Sequence, residues 1–320
     1  MITTRRRGGQ NAVQRDLVIG VDVGGTTVKA ALLDSDGLEH VRSDRPTPRH
    51  LGPDAVITTT IETITDLRAQ APEGTRVRAV GLVVPGLVDA EQGIAVYAAN
   101  IGWRQLPLRQ MVAEAVDLPV ILDHDVRAAG LAELELGAGR GLQEVLFVAL
   151  GTGVAAAVIT RGQVTAGATG RAGELGHLPV FPEGEWCACG QRGCTETYAS
   201  AAALSRRYSV ASGISDLPAK DVISRAATGD PVADGIFRDA IAALGRALVH
   251  YVLLMDPELI LIGGGMAASG TALLHPLTHE VQAGLAWRPA PAILNGKFAG
   301  DAGRRGAGLL AWRAVKESMS

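Results

Sequence analysis

Cysteine is nearly missing from this 320-residue chain: there are three, at 187, 189 and 194, and none elsewhere. An odd number of thiols in so short a stretch, with no secretory signal ahead of it, excludes a disulfide framework. Long hydrophobic runs are missing too. No apolar stretch reaches the roughly 18 residues that span a bilayer, and the longest apolar helical pattern, 232–255, is interrupted by Arg238, Asp239, Arg246 and His250. Charge is balanced, 30 Lys and Arg against 33 Asp and Glu for a net of −3, so the chain has no basic footprint for nucleic acid. Arg5, Arg6 and Arg7 are not followed by an apolar segment, which leaves residues 1–16 as a solvated tail and not a signal peptide. The Gly-x-x-x-x-Gly-Lys-[Ser/Thr] run of P-loop NTPases is also lacking. These absences point to a soluble cytoplasmic protein with neither membrane nor nucleic acid as partner.

Glycine, by contrast, is abundant, at 40 residues. Such a content indicates tight turns and close backbone approaches to ligands, and the length allows about two domains. Residues 17–34 read as strand, glycine turn, strand, with Asp36-Gly37 marking a further hairpin. The turn carries Gly24, Gly25, Thr26 and Thr27, whose amides and hydroxyls suit phosphate, and Asp22 at the strand end suits Mg²⁺ through water. Residues 145–159 repeat the pattern around Gly151, Thr152 and Gly153, and two such hairpins imply two related lobes. A buried strand at 259–262 ends in Gly263, Gly264 and Gly265, either a third ligand contact or a plain tight turn before a helix. Residues 54–69 carry a helical pattern, and 77–84 read as a buried strand that Pro85-Gly86 terminates, closing that lobe's sheet.

The three cysteines fit a metal better than a core. Zn²⁺ takes four ligands in a tetrahedron, Gly190 and Gly193 allow the backbone to turn the thiolates of Cys187, Cys189 and Cys194 inward, and His177 is the nearest fourth ligand. Three thiolates and an imidazole leave no open position for water, so such a site is structural, which disfavours a metal-dependent hydrolase.

Asp123-His124-Asp125 lies where a strand at 119–122 gives way to an alanine-rich helix at 126–136. Ligand chemistry concentrates at such crossings in α/β sheets. Asp125 either caps the helix or presents a carboxylate to a substrate hydroxyl. The two carboxylates flanking His124 favour its imidazolium, so its protonation is expected to vary around neutral pH.

Gly173-Glu-Leu-Gly-His177 followed by Cys187-Ala-Cys189-Gly-Gln-Arg-Gly-Cys194-Thr-Glu196 resembles the signature of the ROK family of bacterial sugar kinases and sugar-responsive repressors. The resemblance implies an α/β, two-lobed actin-like ATPase/hexokinase (ribonuclease H-like) fold with a structural zinc loop. It implies that Glu174, His177 and Glu196 contact the sugar and that Gly263–Gly265 contact the adenosine side of ATP. Asn100-Ile-Gly-Trp103 is similar to the family's Asn-x-x-Trp loop near the sugar; ordinary turn and core roles for the two residues are the alternative. The family's Asn-Asp-x-Asn-Ala-Ala motif stands here as His124-Asp125-Val126-Arg127-Ala128-Ala129, with the catalytic aspartate kept and both asparagines replaced. His124 takes the position of a sugar-contacting asparagine.

By this resemblance the chain is an ATP- and Mg²⁺-dependent hexose kinase, with glucose phosphorylated at its 6-hydroxyl and Asp125 accepting the proton. Kinases of amino sugars, N-acetylated sugars or cyclitols, and a non-catalytic sugar-binding regulator, are the alternatives. The sixteen residues before the first strand are too few for the winged helix-turn-helix of the repressors. The expected division is a tail at 1–16, a small lobe at 17–122 to which a helix at 306–320 returns, and a large lobe at 123–305 carrying the zinc loop and a homodimer, or tetramer, interface.

Overall fold

The structure, a computed structural model, describes residues 15–319. The first fourteen residues of the expected tail and the last residue of the expected C-terminal helix lie outside the described residues. Arg15 and Asp16 are the first two residues of strand β1 (Arg15–Val23). β1 is continuously buried from Leu17 to Val21 and folds back through the Gly24–Thr26 turn onto β2 (Thr27–Leu33), which pairs in turn with β3 (Glu39–Pro46). Both pairings are antiparallel. Helix α1 (Pro53–Ala69) starts on a proline at its first turn, where no backbone donor is lost, and buries Val56, Ile57, Ile64 and Leu67 at helical spacing. It returns the chain to β4 (Thr75–Val84), parallel to β1.

Pro85-Gly86 does not close this sheet. The chain makes a small separate sheet of β5 (Leu87–Asp89), β6 (Ile94–Ala98) and β7 (Trp103–Leu106). Helix α2 (Leu108–Val116) then delivers β8 (Val120–His124) alongside β4, so the first large sheet runs β3-β2-β1-β4-β8. Helix α3 (Asp125–Glu135) follows β8 without a connecting residue.

The second half repeats the plan. β9 (Val145–Leu150), β10 (Val154–Thr160) and β11 (Gln163–Thr165) form an antiparallel meander. A segment with little regular structure carries the cysteines into the short α4 (Glu196–Ala199), after which α5 (Ala201–Ser212), α6 (Ala219–Ala227) and α7 (Pro231–Met255) pack as a helical layer. β12 (Leu259–Gly263) enters parallel to β9; α8 (Thr271–Ala283) leads on to β13 (Ala292–Asn295), parallel to β12. The order β11-β10-β9-β12-β13 matches the first sheet strand for strand, in pairing sense as well as position. This is the duplicated α/β architecture that the two glycine hairpins implied.

The last helix, α9 (Ala302–Glu317), begins four residues before Gly306. Its glycine-rich start is a poor helix former by propensity, but packing against β1, β4 and α3 secures it. Gly306 meets α3 so closely that a Cβ there would lie 1.9 Å from the Ala128 carbonyl oxygen. Arg304, wholly buried, reaches three carboxylates: Glu39 at 3.1 Å, Asp44 at 3.1 Å and Asp301 at 2.9 Å. A buried guanidinium is tolerated only with such pairing, and here it fixes α9 to the outer strand of the first sheet.

Candidate active site

β1, β8, β9 and β12 all deliver chemistry at their C-terminal ends, the usual ligand edge of an open α/β sheet. At the end of β1, Asp22 pairs in register with Lys29, and its Oδ2 would stand 2.3 Å from a Cβ placed on Gly303 of α9. Burial and the charge of Asp125 push the Asp22 carboxyl up to about 7, against the opposing pull of Lys29 and Arg304. The turn beyond it is closed by Gly24 N–H to the Thr27 carbonyl at 3.0 Å. Thr47, at the end of β3, holds the same turn from behind: its N–H donates to the Thr26 carbonyl at 2.9 Å and its hydroxyl to the Gly24 carbonyl at 2.6 Å. No motif flagged Thr47 or Lys29; both become visible only once β2 and β3 are paired. Asn100 is exposed with its Cβ 3.8 Å from the Cβ position of Gly25, whereas Trp103 is core, 2% exposed, its indole N–H donating to the Pro53 carbonyl at 3.3 Å.

The second turn, Gly151–Gly153, is closed by Gly151 N–H to the Gly153 carbonyl at 3.0 Å. The third, Gly263–Gly265, abuts it: a Cβ on Gly264 would meet the Leu150 carbonyl oxygen at 2.4 Å. Glu196, the first residue of α4, turns its carboxylate to this second turn, where Oε2 accepts the Val154 N–H at 2.9 Å.

At the end of β8, Asp125 occupies the first turn of α3 and accepts the N–H of Val126 at 2.7 Å. Burial raises its carboxyl to about 6, although the Val126 N–H and the Arg127 guanidinium pull the other way. About a quarter of its side chain, 26%, stays open to solvent. A carboxylate so placed is ionised at neutral pH yet poised to take a proton. His124 Nε2 stands 3.5 Å from Asp125 Oδ1.

The expectation of an imidazolium at His124 is overturned. Burial and the nearby Arg127 drive its pKa down to about 4, outweighing the carboxylates of Asp123 and Glu174, so the ring is neutral. The flanking acids were weighed from the sequence, but the burial of the ring and the closeness of Arg127 emerge only from the fold. Arg127, one helical turn on, is buried with Nε and Nη2 on Asp123 Oδ1 at 3.0 and 2.5 Å and Nη1 on the Gly170 carbonyl at 2.8 Å.

Glu174 lies near enough to His124 for its charge to be felt there, and its Oε2 is 3.9 Å from His177 Nε2. The opposite ring nitrogen of His177 faces the thiols, with Nδ1 3.6 Å from Cys187 Sγ. Cys189 and Cys194 sulfurs are 3.7 Å apart, and the four donor atoms lie within 4.8 Å of one another. With Zn–S bonds of about 2.3 Å, tetrahedral geometry puts two sulfur ligands roughly 3.8 Å apart, so the donor set fits zinc. Burial and the neighbouring thiols push Cys194 up to about 12, a cost that a bound cation would remove. His177 thus joins the cysteine cluster to Glu174 and, through it, to His124 and Asp125.

Comparison with known proteins agrees with this arrangement. The description of the ROK family matches residues 18–314. A glucokinase of Halalkalibacterium halodurans is 36% identical over 283 residues, 83% of this chain and 85% of that protein. A glucokinase of Streptomyces coelicolor is 34% identical over 92% of this chain and 97% of its own length. Among solved structures, a ROK family glucokinase from Streptomyces griseus in complex with glucose and AMPPNP superposes with a TM-score of 0.80 at 34% identity, covering 93% of this chain and 99% of that one. The chain belongs to the ROK family.

Proposed function

We propose that the protein is an ATP-dependent glucose kinase that phosphorylates the 6-hydroxyl, with Asp125 as the proton acceptor. The observation that carries the reading is a half-buried but ionisable carboxylate at the crossing between β8 and α3, beside His124 and near enough to Asp22 for its charge to be felt there. The kinship to glucokinases, one of them holding glucose and a nucleotide analogue, supports glucose above amino sugars, N-acetylated sugars and cyclitols. It also supports a catalytic role above a purely regulatory one.

Asp125 would accept the hydroxyl proton as the oxygen attacks the γ-phosphoryl group. Phosphoryl transfer asks the protein mainly to align the reactants and to meet developing charge. The Gly24–Thr27 and Gly151–Gly153 turns would bind phosphate oxygens, and Gly263–Gly265 the nucleoside end. Asn100, His124, Glu174, His177 and Glu196 would bind sugar hydroxyls, with Glu196 also bracing the second turn through Val154.

Asp22, an oxygen donor whose ionised form needs a cation beside it, fits Mg²⁺, which would neutralise charge on the phosphates. One Zn²⁺ held by His177, Cys187, Cys189 and Cys194 would order the sugar loop without entering the chemistry. Three cysteines that form no disulfide suit the reducing cytoplasm. The exposed Leu253, Leu254 and Met255 at the end of α7 offer an apolar face for a second copy of the chain.

A coupled assay of ADP formation across glucose, mannose, glucosamine, N-acetylglucosamine, N-acetylmannosamine and inositol tests the reading. Highest kcat/KM on glucose, with glucose 6-phosphate identified by phosphorus NMR, is expected. A higher value on an N-acetylated sugar, or no turnover on any acceptor, would refute it.

A further inference from the structure

Arg127 has no role in the chemistry described so far, yet it is 5% exposed and fully engaged at the edge of the cleft. Two of its nitrogens hold one oxygen of Asp123, which also accepts the His124 N–H at 2.6 Å. The third nitrogen holds the Gly170 carbonyl at 2.8 Å. Gly170 is the midpoint of the segment between β11 and Glu174. That segment has few other backbone fastenings among the described residues: Ala172 N–H to Ala166 carbonyl at 3.0 Å, Gly170 N–H to Gly167 carbonyl at 3.3 Å, and at its far end the Gly173 carbonyl, which accepts Ala156 N–H at 2.8 Å and Leu175 N–H at 2.7 Å. Gly170 also leans on β5, where a Cβ would stand 3.2 Å from the Val88 carbonyl oxygen. Four residues on comes Glu174, across from His124.

We propose that Arg127, braced by Asp123, is a positioning residue for the acceptor sugar: by gripping the Gly170 carbonyl it fixes segment 166–173, and with it Glu174, opposite His124 and Asp125. The inference rests on the sugar-kinase reading. Burying a guanidinium is costly unless every donor is met, and the Asp123 carboxylate meets that cost on one side while the Gly170 carbonyl uses what is left. The clamp acts between α3, which begins with the catalytic carboxylate, and the loop that leads into the sugar ligands. Its loss would loosen the sugar side of the cleft and spare the nucleotide side, whose turns lie at the ends of β1, β9 and β12.

Arg127→Gln and Arg127→Lys test it through glucose and ATP kinetics, calorimetric glucose binding without nucleotide, and amide hydrogen exchange. In Arg127→Gln, the glucose KM and Kd should rise about tenfold or more, the scale of one lost charge-assisted hydrogen bond, while the ATP KM stays within about twofold. Arg127→Lys, whose ammonium reaches only one of the two partners well, should recover part of the affinity and still show faster exchange at 166–174. Unchanged glucose Kd in a folded Arg127→Gln protein would overturn the proposal, as would glucose and ATP KM rising together. If Arg127→Gln does not fold, Arg127→Lys decides through exchange alone, wild-type protection at 166–174 refuting the clamp. Wild-type protein that phosphorylates no sugar would instead refute the kinase reading, and the exchange measurement would still report on the clamp.

Discussion

Asp125 is held at the first turn of α3, where burial lifts its carboxyl to about 6. As the proposed base it must be ionised to act, so activity should be full above that value and be lost as pH falls through it. Asp22, raised to about 7 and sensing the charge of Asp125, shares the transition, so the acid limb belongs to the pair. We predict that kcat/KM on glucose falls on the acid side with an apparent pKa near 6 at saturating Mg²⁺; a limb below 5 would contradict the assignment. The position of Asp125 was legible because strand, acid and alanine-rich helix follow one another in the chain. The state of His124 was not. Its nearest charges in sequence are two carboxylates, but burial, which the sequence does not display, together with Arg127 brought beside it by the helical turn, reverses the balance. Nitrogen-15 NMR of the ring should show a neutral imidazole from pH 8 down to 5, and a transition near 6.5 would show that burial and the guanidinium do not outweigh the carboxylates.

At the scale of elements, the local patterns carried far. Strand-turn-strand runs around Gly24 and Gly151 folded as read, because continuous apolar runs and glycine turns are determined by neighbours in sequence. β8 was legible as a strand, but its place beside β4 after the excursion through β5 to β7 was not, since no local pattern encodes which strands pair across forty residues. The start of α9 was missed for the opposite reason: Ala302 to Gly308 has poor intrinsic helicity and is held by contacts with α3 and the first sheet. The crossing at Gly306 has no room for a methyl group. Gly306→Ala should therefore destabilise the protein by about 1–3 kcal/mol despite its better propensity, measurable by urea denaturation; a stabilised variant would show that α9 sits farther from α3. In the cysteine loop, Cys189→Ala should abolish bound Zn²⁺ by elemental analysis and raise the glucose KM more than the ATP KM. Purified active protein without zinc would remove the metal from the account.

For the whole molecule, the two sheets have identical strand order, and α3, packed on the second, and α9, packed on the first, meet between them. The duplication offers a chain with no P-loop run a proposed way to hold a nucleotide: two glycine turns related by the repeat would take the place of one. On the proposed reading it also divides the labour, with β1, β9 and β12 ending in glycine turns and β8 leading into Asp125, the proposed base. If this division holds, removing the base should leave both ligands bound and stop only the transfer. The direct measurement is the turnover of Asp125→Asn on glucose beside its calorimetric affinities for glucose and ATP. The account predicts kcat lower by about 10² or more, with both affinities within several-fold of wild type; turnover near the wild-type rate would reduce Asp125 to a helix cap and contradict it.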